Sequence, residues 1–160
     1  MKFLFLLSIL SLSVFANERL INGTPADPKE WPASVYASMG SSRCTATVVG
    51  EKVLLIAAHC VSNGGTASFK AGGNSYSGKC THAPDYDRAA WQAHKEAIEG
   101  GQVANVATRN STADWSLCVI DRPVTGVPFE NINQDPAKLR TGEELTLTGY
   151  GCIRAGGGGG

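Results

Sequence analysis

No block of lysines or arginines occurs anywhere in the 160 residues, and acidic and basic side chains cancel to a formal charge of zero. A chain without a concentrated positive face has no footprint for nucleic acid or an anionic membrane. No two cysteines are spaced C-x2-C, which argues against a zinc ribbon or knuckle. No internal repeat is visible, which argues against a solenoid. Nothing points to a cofactor, and none is expected. No serine follows Ser116, and no aspartate or glutamate lies between Cys60 and Asp85.

The N-terminus carries the longest apolar run. Lys2 precedes "FLFLLSILSLSVF", and Val14 and Ala16 form a small-x-small exit. That is the pattern of a secretory signal peptide over residues 1–16. The run is too short, and too soon followed by "NERLING", for a retained membrane anchor. The remaining chain is the length of one domain and long enough to bury a core. Five cysteines (Cys44, Cys60, Cys80, Cys118 and Cys152) in an exported chain predict disulfides, because that compartment is oxidising. An odd count leaves one cysteine without an intrachain partner.

Most of the chain reads as short strands between turn residues. "ASVYASM" (33–39) and "CTATVVG" (44–50) are rich in small, β-branched and aromatic residues, and Gly50-Glu51 turns the chain into "KVLLIAA" (52–58). Residues 67–81 read as two strands about a Gly/Asn turn, and "WSLCVI" (115–120) and "ELTLTGY" (144–150) as further strands. The exception is "DRAAWQAHKEAI" (87–98), a surface helix with Asp87 as N-cap and Gly100-Gly101 as its stop. Residues 122–142, with Pro, Asn and Gln throughout, read as a linker over the surface. The expected class is all-β, a barrel or sandwich.

The apolar run "VLLIAAHC" (53–60) ends in His59 beside Cys60. Alone, such a histidine is a catalytic base, a metal ligand or a packed ring. A zinc site from His59, Cys60, Cys80 and His82 is disfavoured, since neighbours on a strand point to opposite faces. Three further features weigh on the choice. "NERLINGT" (17–24) places a basic residue before an aliphatic pair. Cys44 stands sixteen residues before Cys60 on the adjacent strand, where a disulfide would pin the histidine turn by ~3 kcal/mol of loop closure. "ADWSLCVI" (113–120) sets an acid immediately ahead of an apolar strand.

Together these stretches resemble the chymotrypsin/trypsin family of secreted serine endopeptidases. "LINGTPADPKEWPASV" is similar to that family's mature start, "CTATVVGEKVLLIAAHC" to its Ala-Ala-His-Cys signature, "DWSLCVI" to its catalytic aspartate segment, and "LTLTGYG" to its Val-x-Gly-Trp-Gly. The resemblance spans Arg19 to Gly151. It implies two antiparallel six-stranded β-barrels, the first at 20–121, a linker at 122–142 and the start of the second at 143–160. It implies that His59 is the general base and that Asp114 orients it. It also implies a Cys44–Cys60 bridge. Cys80 and Cys118 are not typical of the family, but fall on what would be neighbouring strands and are expected to pair, which leaves Cys152 alone.

Some positions depart from the pattern: Ile56 replaces a usual threonine or serine, and Thr45-Ala46 a usual Gly-Gly. The acid-free stretch before Asp85 offers no ligand to the calcium loop of some members. His82 and "APDYD" resemble a structural segment of the family, and His94 is expected to be exposed on the helix. The sequons "NGT" (22–24) and "NST" (110–112) matter only in a glycosylating source.

The resemblance implies a zymogen in which an activating protease cuts after Arg19, removing 17–19 and freeing Leu20. Substrates would be peptides or proteins, and the location outside the cell or periplasmic. The nucleophilic serine of the family would follow Asp114, and Ser116, two residues on within a strand, cannot take that part. The expectation is a partial chain that does not hydrolyse peptides by itself. The alternative is a non-catalytic secreted homologue serving as a binding module.

Overall fold

The computed structural model describes residues 24–101 and 109–150. The expected signal peptide (1–16), the expected propeptide 17–19 with Arg19, Leu20 and Cys152 lie outside the described residues.

Six strands form a closed barrel: β1 (Ser34–Met39), β2 (Ser42–Gly50), β3 (Val53–Ile56), β4 (Thr66–Ala71), β5 (Asn74–His82) and β6 (Ser116–Ile120). Around the barrel they run β1-β2-β3-β6-β5-β4, and every pairing is antiparallel. Closure follows from side-chain alternation. In β4, Ala67, Phe69 and Ala71 point inward while their neighbours are exposed, and β6 alternates with Ser116, Cys118 and Ile120 inward. Val35, Val48, Leu54, Ile56, Phe69, Tyr76 and Ile120 fill the interior with several alanines. A barrel leaves no open edge within the sheet.

Three glycines allow this closure. The β4–β5 hairpin turns through Gly72 (φ 51°) and Gly73 (φ 79°), two successive left-handed residues as a tight primed turn requires. A Cβ on Gly72 would also lie 2.4 Å from the carbonyl oxygen of Thr125, and one on Gly78 would lie 2.8 Å from that of Val119 on β6.

The expected strand at 52–58 stops early. β3 ends at Ile56, and Ala58–Cys60 turns as a 3-10 helix, because Cys60 N–H bonds back to Ala57 and Val61 N–H to Ala58. Residues 144–150 form no strand ladder among the described residues. Tyr150 instead donates its N–H to Thr45 Oγ1 at 2.7 Å and its hydroxyl to the carbonyl of Ser34 at 3.3 Å. Its ring meets Tyr36 edge-on at 5.7 Å. Thr45, one of the departures from the family pattern, therefore anchors that segment by its side chain.

Helix α1 (Arg88–Glu99) sits outside the barrel, where 87–98 predicts a helix. The Asp87 carboxylate accepts N–H bonds from Ala89 and Ala90 at 2.8 and 3.1 Å, and Gly100 ends the helix. A short turn of helix, α2 (Arg109–Thr112), was not foreseen. Residues 122–142 lie over the surface, tied down by Val124 N–H to Glu51 and Glu130 N–H to Val48. No helix among the described residues is long and apolar enough to cross a membrane.

Candidate active site

Ile56, the last residue of β3, pairs with Ser116, the first of β6. Antiparallel pairing puts the exit of one strand beside the entrance of the other. His59, three residues beyond β3, and Asp114, two residues before β6, are thereby neighbours despite lying 55 residues apart in sequence. Ladder register makes this meeting, which the resemblance implies but the residue pattern at either position does not encode.

The contact is two-pronged. Asp114 Oδ1 accepts the backbone N–H of His59 at 2.8 Å, and Asp114 Oδ2 lies 2.6 Å from His59 Nδ1. An ionised carboxylate only accepts hydrogen bonds, so opposite it Nδ1 is the donor, and in the neutral imidazole Nε2 then carries the lone pair. The side chains retain 35% and 20% of their exposure, so the pair is only partly buried. Nε2 lies 3.4 Å from Cys60 Sγ.

The histidine turn is bound on its other side by the Cys44–Cys60 disulfide, which joins it to β2. The second bridge, Cys80–Cys118, connects directly paired residues of β5 and β6. Both expected pairings are present. Cys44, His59 and Cys60 gather their ligand-type atoms within 4.8 Å of one another. Both sulfurs are consumed in a disulfide, however, and a metal needs thiolate.

Ser116 is fully buried on β6, and its hydroxyl donates to the carbonyl of Thr81 at 2.8 Å. Its oxygen is committed inside the barrel. His82 Nε2 donates to the carbonyl of Val61 at 2.9 Å, its backbone N–H bonds Asn63 Oδ1 at 3.1 Å, and its ring meets Tyr86 edge-on. These bonds are structural. His94, expected to be exposed, is half-buried, and its Nδ1 has no hydrogen-bond partner among the described residues. Helix α1 is not a free surface helix, since it packs alongside α2.

Two neighbours of His59, and a tyrosine that senses the charge of Asp114, were not identified from sequence. The Trp91 indole lies flat on the imidazole, centroids 4.3 Å apart at 13°. Arg88 Nη2 donates to the His59 carbonyl at 2.8 Å. The Tyr86 hydroxyl is buried without a hydrogen-bond partner among the described residues. Burial pushes its phenol above the usual 10.0; Arg88 opposes this, and the charges of Asp114 and Asp87 add to it. The signal available for all three was their closeness to Asp87 at the start of the helical segment. What that signal lacked was where the segment lands.

The model of the family described as Trypsin matches residues 20–158. A solved structure described as "Structure of GrC" is 17% identical, with a TM-score of 0.55 over 88% of this chain and 61% of that one. At that identity the likeness concerns the fold alone, and the chain spans about three-fifths of the solved chain's length. No curated protein matches. The closed barrel is one barrel of the chymotrypsin fold, and with a family match running over most of its length the chain belongs to the trypsin family.

Proposed function

We propose that this chain carries the histidine and aspartate of a secreted serine endopeptidase, and that the serine is supplied by sequence beyond Gly160. The observation that carries this reading is the paired contact of Asp114 with the ring and the backbone of His59. A structural ion pair needs only one such bond. Two bonds from one carboxylate set both the place of the residue and the tautomer of its ring, which is what a base at Nε2 requires.

In this mechanism Nε2 of His59 takes the proton from the serine hydroxyl as that oxygen attacks the scissile carbonyl. The imidazolium then gives the proton to the leaving amine, and Asp114 stabilises the charge in between. Water, activated by the same nitrogen, releases the acyl group. Residues 1–16 would direct export, to the outside or to a periplasm. An activating protease would cut after Arg19, releasing 17–19 and freeing Leu20. Residues 20–121, 122–142 and 143–160 would be first barrel, linker and start of the second barrel, with Cys152 bonded to a cysteine beyond this chain.

Sequencing the coding DNA past Gly160 tests the proposal first, with a Gly-Asp-Ser-Gly expected in frame. Labelling of the natural protein by a covalent serine-directed inhibitor then reports the nucleophile. A stop codon directly after Gly160, or a full-length protein refractory to the inhibitor, rejects catalysis in favour of the binding-module reading. N-terminal sequencing of the natural product should give Asn17 before activation and Leu20 after it.

A further inference from the structure

A carboxylate holding one edge of an imidazole fixes the place of that edge but leaves the ring free to tilt about the bond. Asp114 restrains Nδ1 in this way, and the tilt is met by a different element. Helix α1 begins at Arg88, whose guanidinium donates to the His59 carbonyl at 2.8 Å. One turn on, on the same face of the helix, Trp91 covers the ring at 4.3 Å with a 13° interplanar angle. Lys95 follows four residues later, its ammonium 5.7 Å from the indole centroid. The base of the helix is fixed by its Asp87 cap and by the Asp87 N–H bond to the carbonyl of Asn110.

We infer that Trp91 is a positioning residue for His59. Its flat face sets the plane of the imidazole, so that the Nδ1–Asp114 bond stays linear and Nε2 keeps one direction. Arg88 ties helix and histidine turn into one unit, so the indole cannot drift from the ring. The consequence for catalysis rests on His59 being the base, while the restraint on the ring does not.

The test is the solvent-exchange rate of the His59 Nδ1 proton, measured by ¹⁵N-edited NMR on the full natural protein and three variants. Exchange needs the ring to leave Asp114, so losing an aromatic stack should speed it about three- to tenfold in Trp91→Leu and Trp91→Ala. Trp91→Phe retains a flat face and should stay within about twofold of the parent. Leucine is a good helix former, so α1 persists in that variant even if alanine loosens it. Slow-exchanging barrel amides in the same spectra verify the fold. An unchanged rate in Trp91→Leu, or a Phe variant as fast as the Leu variant, overturns the inference. Loss of hydrolysis in His59→Ala of the catalytically complete protein is a separate readout, so the stack and the mechanism can fail independently.

Discussion

At the scale of single residues, Asp114 carries most of the consequence. An asparagine there keeps an oxygen for the His59 backbone N–H but turns an amide N–H toward Nδ1. Nδ1 must then accept, the ring proton moves to Nε2, and the base is lost. Asp114→Asn should therefore lower kcat by about 10⁴ in the catalytically complete protein with little change in fold, by the tautomer argument for Ser-His-Asp sites. Steady-state kinetics on a peptide substrate, with circular dichroism as control, checks both parts. Tyr86 makes a second case. Its phenol is raised above 10.0 in the folded chain, chiefly by burial, so the unfolded chain ionises first and binds fewer protons. Stability from this group is whole below pH ~10 and falls as pH rises through the folded value. Urea titrations from neutral to strongly alkaline pH should show that decline, and Tyr86→Phe should flatten it. At neutral pH the same variant should be neutral or slightly more stable, by up to about 1 kcal/mol, because a buried hydroxyl without a partner is removed.

At the scale of elements, the two disulfides differ in what they hold. Cys80–Cys118 spans 38 residues and links two strands already paired in the ladder. Replacing both by alanine should cost about 4 kcal/mol by loop closure, read as a lower urea midpoint, while leaving the histidine turn in place. Cys44–Cys60 spans 16 residues and holds the 3-10 turn that presents His59. Its removal should cost about 3 kcal/mol and, in addition, speed exchange at the His59 backbone N–H, which Asp114 alone would then retain. Equal exchange in the two double variants would show that the turn does not need its bridge. The elements themselves were largely legible: alternation in 67–71 and 116–120 and the Asp87 cap of α1 are local signals that local structure obeys. The end of β3 was not. "IAA" continues a strand pattern, but the turn is imposed by a disulfide to a neighbouring strand and by bonds to Asp114.

At the scale of the whole molecule, Leu145 and Leu147 stand 75% and 81% exposed on a segment without strand partners among the described residues. Exposed apolar side chains on unpaired extended chain favour self-association. The isolated 160-residue chain should form oligomers in sedimentation velocity runs, and Leu145→Lys with Leu147→Lys should shift it toward monomer. An unshifted distribution would place the association elsewhere, with Val119 on the outer face of β6 the next residue to change.

Residue types in order were enough to indicate an all-β barrel or sandwich, and the family resemblance carried by contiguous stretches such as "AAHC" and "ADWSLC" narrowed it to a barrel with a Cys44–Cys60 bridge. The tertiary structure alone decided that Asp114 grips His59 twice, that Thr45 anchors Tyr150, and that Trp91 lies on the imidazole. Each of these joins residues far apart in sequence or on separate elements. Strand register and the landing place of a surface helix are set by packing of the whole barrel, which no local pattern encodes.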